Sequence, residues 1–212
     1  VGWYLGLDVQ LFLLSPPLLF LYVRRPAAGA AAVLALTIAS IAFSAWFSAE
    51  YHLSPSIFDP HFGGDSGGGT AYLPDYYFRP WCRAPAYLIG LLAAFCWDSA
   101  GMQDEAAASI RLPEAGALGL AAAWLLLLGS TCYGGYWMYQ DIPSGLPQWV
   151  LTLYLSLSKP AWAAGLAALS LLCAAGRGGF AGWLLSRPFW APLSRLNYSM
   201  YLAHPVAIYW LY

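Results

Sequence analysis

Two ionisable side chains stand where the sequence is otherwise apolar. Asp8 lies in WYLGLDVQLFLLSP, residues 3–16, and His204 lies in LSRLNYSMYLAHPVAIYWLY, residues 193–212. Inside a membrane a carboxylate costs at least about 2.5–3.5 kcal/mol, so such residues face a polar cavity or a partner. Histidine is the side chain that exchanges protons near neutral pH. Gln10 adds an amide two positions after Asp8, roughly 200° around a helix, so the two share one partner only if the helix is distorted. Pro16-Pro17 removes two backbone donors and gives a reason to expect distortion. The competing placement leaves residues 3–10 at the interface, with the span starting later. For His204 the competing reading is a lone histidine satisfied by a backbone carbonyl. Arg79 and Arg83 frame RPWCR ahead of another apolar segment. Guanidinium groups there suit a lipid headgroup, a phosphate or a carboxylate, with simple snorkelling as the alternative.

The elements that must hold these residues are membrane helices. Of the 212 residues 60% are hydrophobic and 9% charged, against about a quarter charged in soluble domains. Eleven tryptophans and fifteen tyrosines suit a protein that meets two membrane–water interfaces. A net charge of -1 with nine basic residues provides no phosphate-binding stripe, so no nucleic-acid partner is expected. A span needs roughly 20 apolar residues, which predicts an all-α polytopic bundle of about six spans. These are residues 3–23, 27–47, 80–97, 115–137, 161–175 and 191–212, with a long loop over 48–79. Residues 149–175 are too long for one untilted span, and Lys159-Pro160 predicts a break between a short interfacial helix and the fifth span. Arg24, Arg25, Arg111, Arg177, Arg187 and Arg195 fall on one side, and Arg79, Arg83 and Lys159 on the other. That asymmetry puts the Arg24-Arg25 side in the cytoplasm and the long loop outside or in a lumen. On these boundaries His204 lies about 20 Å from the inner edge of a core about 30 Å thick, and Asp8 about 22 Å, so the two share a depth.

Other motifs carry less. GGDSGGG, residues 63–69, resembles the nucleophile loop of a serine protease, but that loop works only in a β-barrel pair whose alternating strands are absent from the pattern. His52, Asp59, His61 and Asp65 match no metal-site spacing and read as solvated loop residues, so no metal is expected. Cys82, Cys96, Cys132 and Cys173 form no CxxC pair and read as small buried packing residues. Gly116, Gly119, Gly134, Gly135 and Gly165 are expected to let helices approach closely. No initiator methionine opens the sequence and an apolar stretch closes it, so a fragment of a longer protein is expected.

Three segments resemble the membrane acyltransferase 3 family. WYLGLDVQLFLLSP is similar to its tryptophan–x–leucine–x–x–acidic–x–glutamine segment, in the tyrosine-and-aspartate form of the animal branch called nose resistant to fluoxetine proteins. YYFRPWCRAPAYLIGLLAAF, residues 76–95, and PLSRLNYSMYLAHP, residues 192–205, resemble two further segments of that branch in the same order. The resemblance implies an integral-membrane enzyme that moves an acyl group, with acyl-CoA as co-substrate and no permanently bound cofactor, onto a hydroxyl of a lipid or sugar. It implies Asp8 and His204 as catalytic residues, with Trp3, Gln10, Arg79, Arg83 and Tyr198 at the substrate. Physically, a carboxylate in a dry site can orient an imidazole or stabilise its cation, and the histidine can relay a proton from an attacking hydroxyl. Membrane lipids and a small-molecule or lipid acceptor are the implied partners. The family's early catalytic helices precede the first matching segment, so the N-terminal half of the protein is expected to be missing from this chain. A non-enzymatic lipid or small-molecule transport protein is the alternative.

Overall fold

The computed structural model describes residues 3–54, 72–102, 112–136 and 146–211. Helix is the only regular structure among them, in keeping with the all-α membrane bundle expected from composition. The long helices are α1 (Trp3–Arg24), α2 (Pro26–Glu50), α3 (Pro80–Ser99), α4 (Glu114–Gly134), α5 (Gln148–Ala174) and α7 (Trp190–Leu211). A π-helical turn, Tyr72–Tyr77, precedes α3, and a short α6, Gly179–Leu185, follows α5. The glycine tract 63–69, with Asp59, His61, Asp65 and Arg111, lies outside the described residues.

Prolines mark where helices start. Pro26 and Pro80 occupy first-turn positions, and Pro113 and Pro147 stand just ahead of α4 and α5 in extended conformation. Proline's missing N–H costs nothing there, because first-turn donors have no intrahelical partner. Helix ends use left-handed residues. Gly176 (φ 67°) closes α5, with the Arg177 N–H reaching back to the Leu172 carbonyl at 2.9 Å. His52 (φ 48°) closes α2 the same way, with the Leu53 N–H on the Ser48 carbonyl at 3.1 Å. His52 is therefore an exposed helix terminator.

The helices run on through their interior prolines, and hydroxyl groups meet the carbonyls freed by Pro16 and Pro85. Pro16 leaves the Phe12 carbonyl without its usual donor, and the Ser15 hydroxyl donates to it at 2.8 Å. Pro85 likewise frees the Trp81 carbonyl, which accepts from Ser40 at 2.5 Å and Ser44 at 3.4 Å on α2. Pro160 sits in mid-α5 and frees the Ser156 carbonyl, while the neighbouring Leu155 carbonyl accepts from the Tyr76 hydroxyl at 3.0 Å. The break expected at Lys159-Pro160 is absent: α5 is one helix of 27 residues. At about 1.5 Å per residue it is some 40 Å long, and it crosses the bundle at a tilt or projects beyond it.

Among the described residues four helices, α1 from Leu5 onward, α2, α4 and α5, are long and apolar enough to cross a membrane, fewer than the six expected. The lengths of α3 and α7, 20 and 22 residues, would suffice, but Arg83 and Asp98 dilute α3, and Arg195, Asn197 and His204 dilute α7. Packing runs from α1 to α2, from α2 to α3 and α5, and from α5 to α4. Leu18, Tyr22, Val33, Leu88 and Phe95 form the core between α1, α2 and α3. Tyr22 stacks on Phe95 (centroids 3.8 Å apart) and donates to both the Phe95 carbonyl and the Asp98 carboxylate, each at 3.1 Å. That bond sets the Arg24 end of α1 beside the end of α3. The expected close approaches hold at Gly135 and Gly165, where a Cβ would meet Tyr154 and Leu128. Gly119 faces open space instead.

Candidate functional site

The π-helical turn and the start of α3 meet the middle of α5 at one polar centre, with α1 packed alongside α3. Cys82 and Arg83 occupy the first turn of α3, Lys159 comes from α5, Tyr76 and Tyr77 from the turn, and Asp8 from α1. The Lys159 ammonium donates to the Cys82 sulfur and lies 5.0 Å from the centroids of both tyrosine rings. The Arg83 guanidinium lies 4.3 Å from the Tyr77 ring centroid, so the two cations share that ring. The charge of Arg83 is felt by both Lys159 and Asp8. Aromatic faces hold such cations electrostatically, more strongly where water is excluded. Tyr76 is completely buried against Leu53, Tyr72, Cys82 and Leu155. Burial first, and the Cys82 sulfur second, push its phenol well above the usual tyrosine range.

Buried hydroxyls line α2 and α5 near this centre. Thr37, Ser44 and Ser48 on α2 and Ser156 on α5 are buried. The Gln148 amide ties the two helices by donating to the Ser48 and Leu53 carbonyls at 3.2 and 3.3 Å. Thr152 follows Gln148 by one turn and shares its face. The hydroxyls of Ser48 and Thr152 are buried with no hydrogen-bond partner. Further along α3 and α5, toward their C-terminal ends, an open groove of about 370 Å³ is lined by small residues such as Gly90, Ala94, Ala167 and Ala174, with Trp97 at one wall.

Of the residues singled out from sequence, Asp8 lies in the field of Arg83, whereas Arg79 is paired elsewhere. Asp8 and Gln10 are exposed on α1. Arg79 stands one residue before α3, pairs with Asp75 at 3.4 Å, and has a side chain 48% exposed. Trp3, Tyr198 and His204 lie on described helices, but their side chains are outside the described set. Lys159 and Cys82 are the functional candidates that sequence reasoning passed over. The signal was available: Lys159 is the only lysine in the chain, set between apolar runs. The cysteines also differ from their expected packing role, since Cys96 and Cys132 are exposed and Cys82 is bonded to an ammonium. No group of three or more histidine, cysteine or acidic residues able to hold a metal occurs among the described residues.

The comparisons with known proteins fit this bundle. The chain is 26% identical over 137 residues to nose resistant to fluoxetine protein 6 of Caenorhabditis elegans, covering 65% of this chain and 16% of that protein. It is 34% identical over 101 residues to regulator of hypoxia-inducible factor 1 of the same organism, covering 44% of this chain and 20% of that one. The chain thus spans at most about a fifth of the length of these curated relatives. No solved structure matches. The acyltransferase domain family matches over residues 1–212, the whole chain, and the chain belongs to the acyltransferase 3 family.

Proposed function

We propose that this chain is part of a multi-pass integral-membrane acyltransferase, of the plasma membrane or an endomembrane, that moves an acyl group from acyl-CoA to a hydroxyl of a lipid or sugar. The family match over the whole chain carries this reading. The polar centre supports it, because charged residues inside membrane helices mark substrate or proton pathways. In this reading Asp8 and His204 are the proton-handling pair. The carboxylate stabilises an imidazolium that forms as the acceptor hydroxyl gives up its proton. Trp3, Gln10 and Tyr198 line the acceptor, while Arg79 and Arg83 meet the anionic part of a substrate or lipid. The family's early helices complete the enzyme, so the activity belongs to the longer protein.

The test uses the full-length protein in membranes with radiolabelled acyl-CoA. Acyl transfer to a lipid or sugar acceptor, lost in Asp8→Asn and in His204→Ala, supports both the activity and the assignment. Unchanged transfer in both variants discards Asp8 and His204 and keeps the enzyme. Binding of lipid without transfer from any donor favours a lipid or small-molecule carrier, a second reading that the small-residue groove between α3 and α5 makes concrete.

A further inference from the structure

The structure assigns a second role to the polar centre: Arg83 and Lys159 form a binding site for the phosphate of an anionic phospholipid headgroup. It rests on the membrane placement proposed above and not on acyl transfer.

Two cations are held against the Tyr77 ring, Arg83 at 4.3 Å and Lys159 at 5.0 Å from its centroid, so each lies in the field of the other. Like charges so placed repel, and the repulsion is relieved by an anion that both can reach. Asp8 lies in the field of Arg83, while the immediate neighbours of Lys159 are a sulfur and two aromatic rings. A planar guanidinium beside a compact ammonium suits an anion with several oxygens, which favours phosphate. Depth points to a headgroup. Arg83 lies three residues past the start of α3, about 4.5 Å along the helix, at the end of the bundle that carries Tyr72, Tyr77 and Trp81. Aromatic rings of this kind gather at the level of lipid headgroups. Both side chains keep part of their surface accessible. Arg79, which sequence alone pairs with Arg83, instead holds Asp75 outside the helix.

The full-length protein is reconstituted in phosphatidylcholine nanodiscs with and without phosphatidic acid, and its thermal unfolding midpoint is measured. Inorganic phosphate in phosphatidylcholine discs is the second probe. Phosphatidic acid is expected to raise the midpoint, with apparent affinity falling about tenfold or more in Lys159→Met and in Arg83→Gln. Lys159→Arg keeps the charge and retains the response, and Arg187→Gln, far from the centre, leaves it unchanged. Should Lys159→Met fail to fold, Arg83→Gln against Lys159→Arg decides alone. A response to inorganic phosphate equal to that of phosphatidic acid overturns the lipid source. No response to either probe, or a response undiminished in the charge-removing variants, overturns the site. The midpoint needs no turnover, so its failure leaves acyl transfer standing, and absent transfer leaves the lipid response standing.

Discussion

Gly29 gives the sharpest test of how the helices are packed, because two effects predict opposite signs. Only Arg25 separates α1 from α2, and Gly29 sits in the first turn of α2 against the backbone of Tyr22. A Cβ added there would lie 2.6 Å from the Tyr22 nitrogen and 2.7 Å from its Cβ. Carbon atoms pack best at about 3.5–4.0 Å, so the two helices must part by about 1 Å. The obstructing atoms are backbone and cannot rotate away, which puts the cost near the upper end of overpacking, about 3 kcal/mol. Against it stands the gain in helix propensity from Gly to Ala, about 1 kcal/mol. The net expectation for Gly29→Ala is a loss of about 2 kcal/mol, accompanied by weakening of the Tyr22 bonds to Phe95 and Asp98. Gly119→Ala is the control: nothing lies within 4 Å of its added Cβ, so only the propensity gain of about 1 kcal/mol applies. Denaturant unfolding in mild detergent, followed by tryptophan fluorescence, measures both. Gly29→Ala as stable as the parent, or moving with Gly119→Ala, would refute the close crossing of α1 and α2.

Three further outcomes follow from the same geometry. Replacing Ser40 and Ser44 together by alanine should cost about 1–3 kcal/mol by stranding the Trp81 carbonyl, and much less once Pro85→Ala restores the intrahelical donor; additive costs in that cycle would discard the account of the freed carbonyl. His52→Gly removes a side chain from a left-handed residue and should stabilise by about 1 kcal/mol, read as a higher unfolding midpoint. Tyr76→Phe loses a buried bond to Leu155 and should cost about 1–2 kcal/mol below pH 10. Since burial raises that phenol, the folded state keeps a proton that the unfolded chain releases near pH 10, so stability holds below that pH and falls above it. In Tyr76→Phe the alkaline fall should be shallower, and an unchanged slope would count against a buried phenol.

Membrane character, the helix starts near residues 27 and 80, and the family segments were legible because each is a local property of composition or a short motif. The errors fall where a distant residue decides. Lys159-Pro160 reads as a break because proline removes a donor, yet the helix continues where Tyr76, 79 residues away from Leu155 in sequence, binds the backbone beside it. Arg79 and Arg83 read as one pair in the string RPWCR. The helix begins between them, so Arg79 faces Asp75 four residues back and Arg83 turns to Tyr77 and the bundle. Loop charge groups Lys159 with Arg83, but the contact of Lys159 with Cys82 spans 77 residues and leaves no trace in the local pattern.

The hydroxyls that serve Pro16 and Pro85 share an order along the chain. Ser15 precedes Pro16, and Ser40 and Ser44 precede Pro85. A ribosome makes the chain from its N-terminus, so each hydroxyl has left the exit tunnel before the proline whose freed carbonyl it meets. When α3 is made, α2 is already there to receive its exposed carbonyl. Vectorial synthesis thus spares each weakened helix a wait in lipid with an unsatisfied carbonyl, a hazard that refolding of the finished chain from denaturant does not avoid.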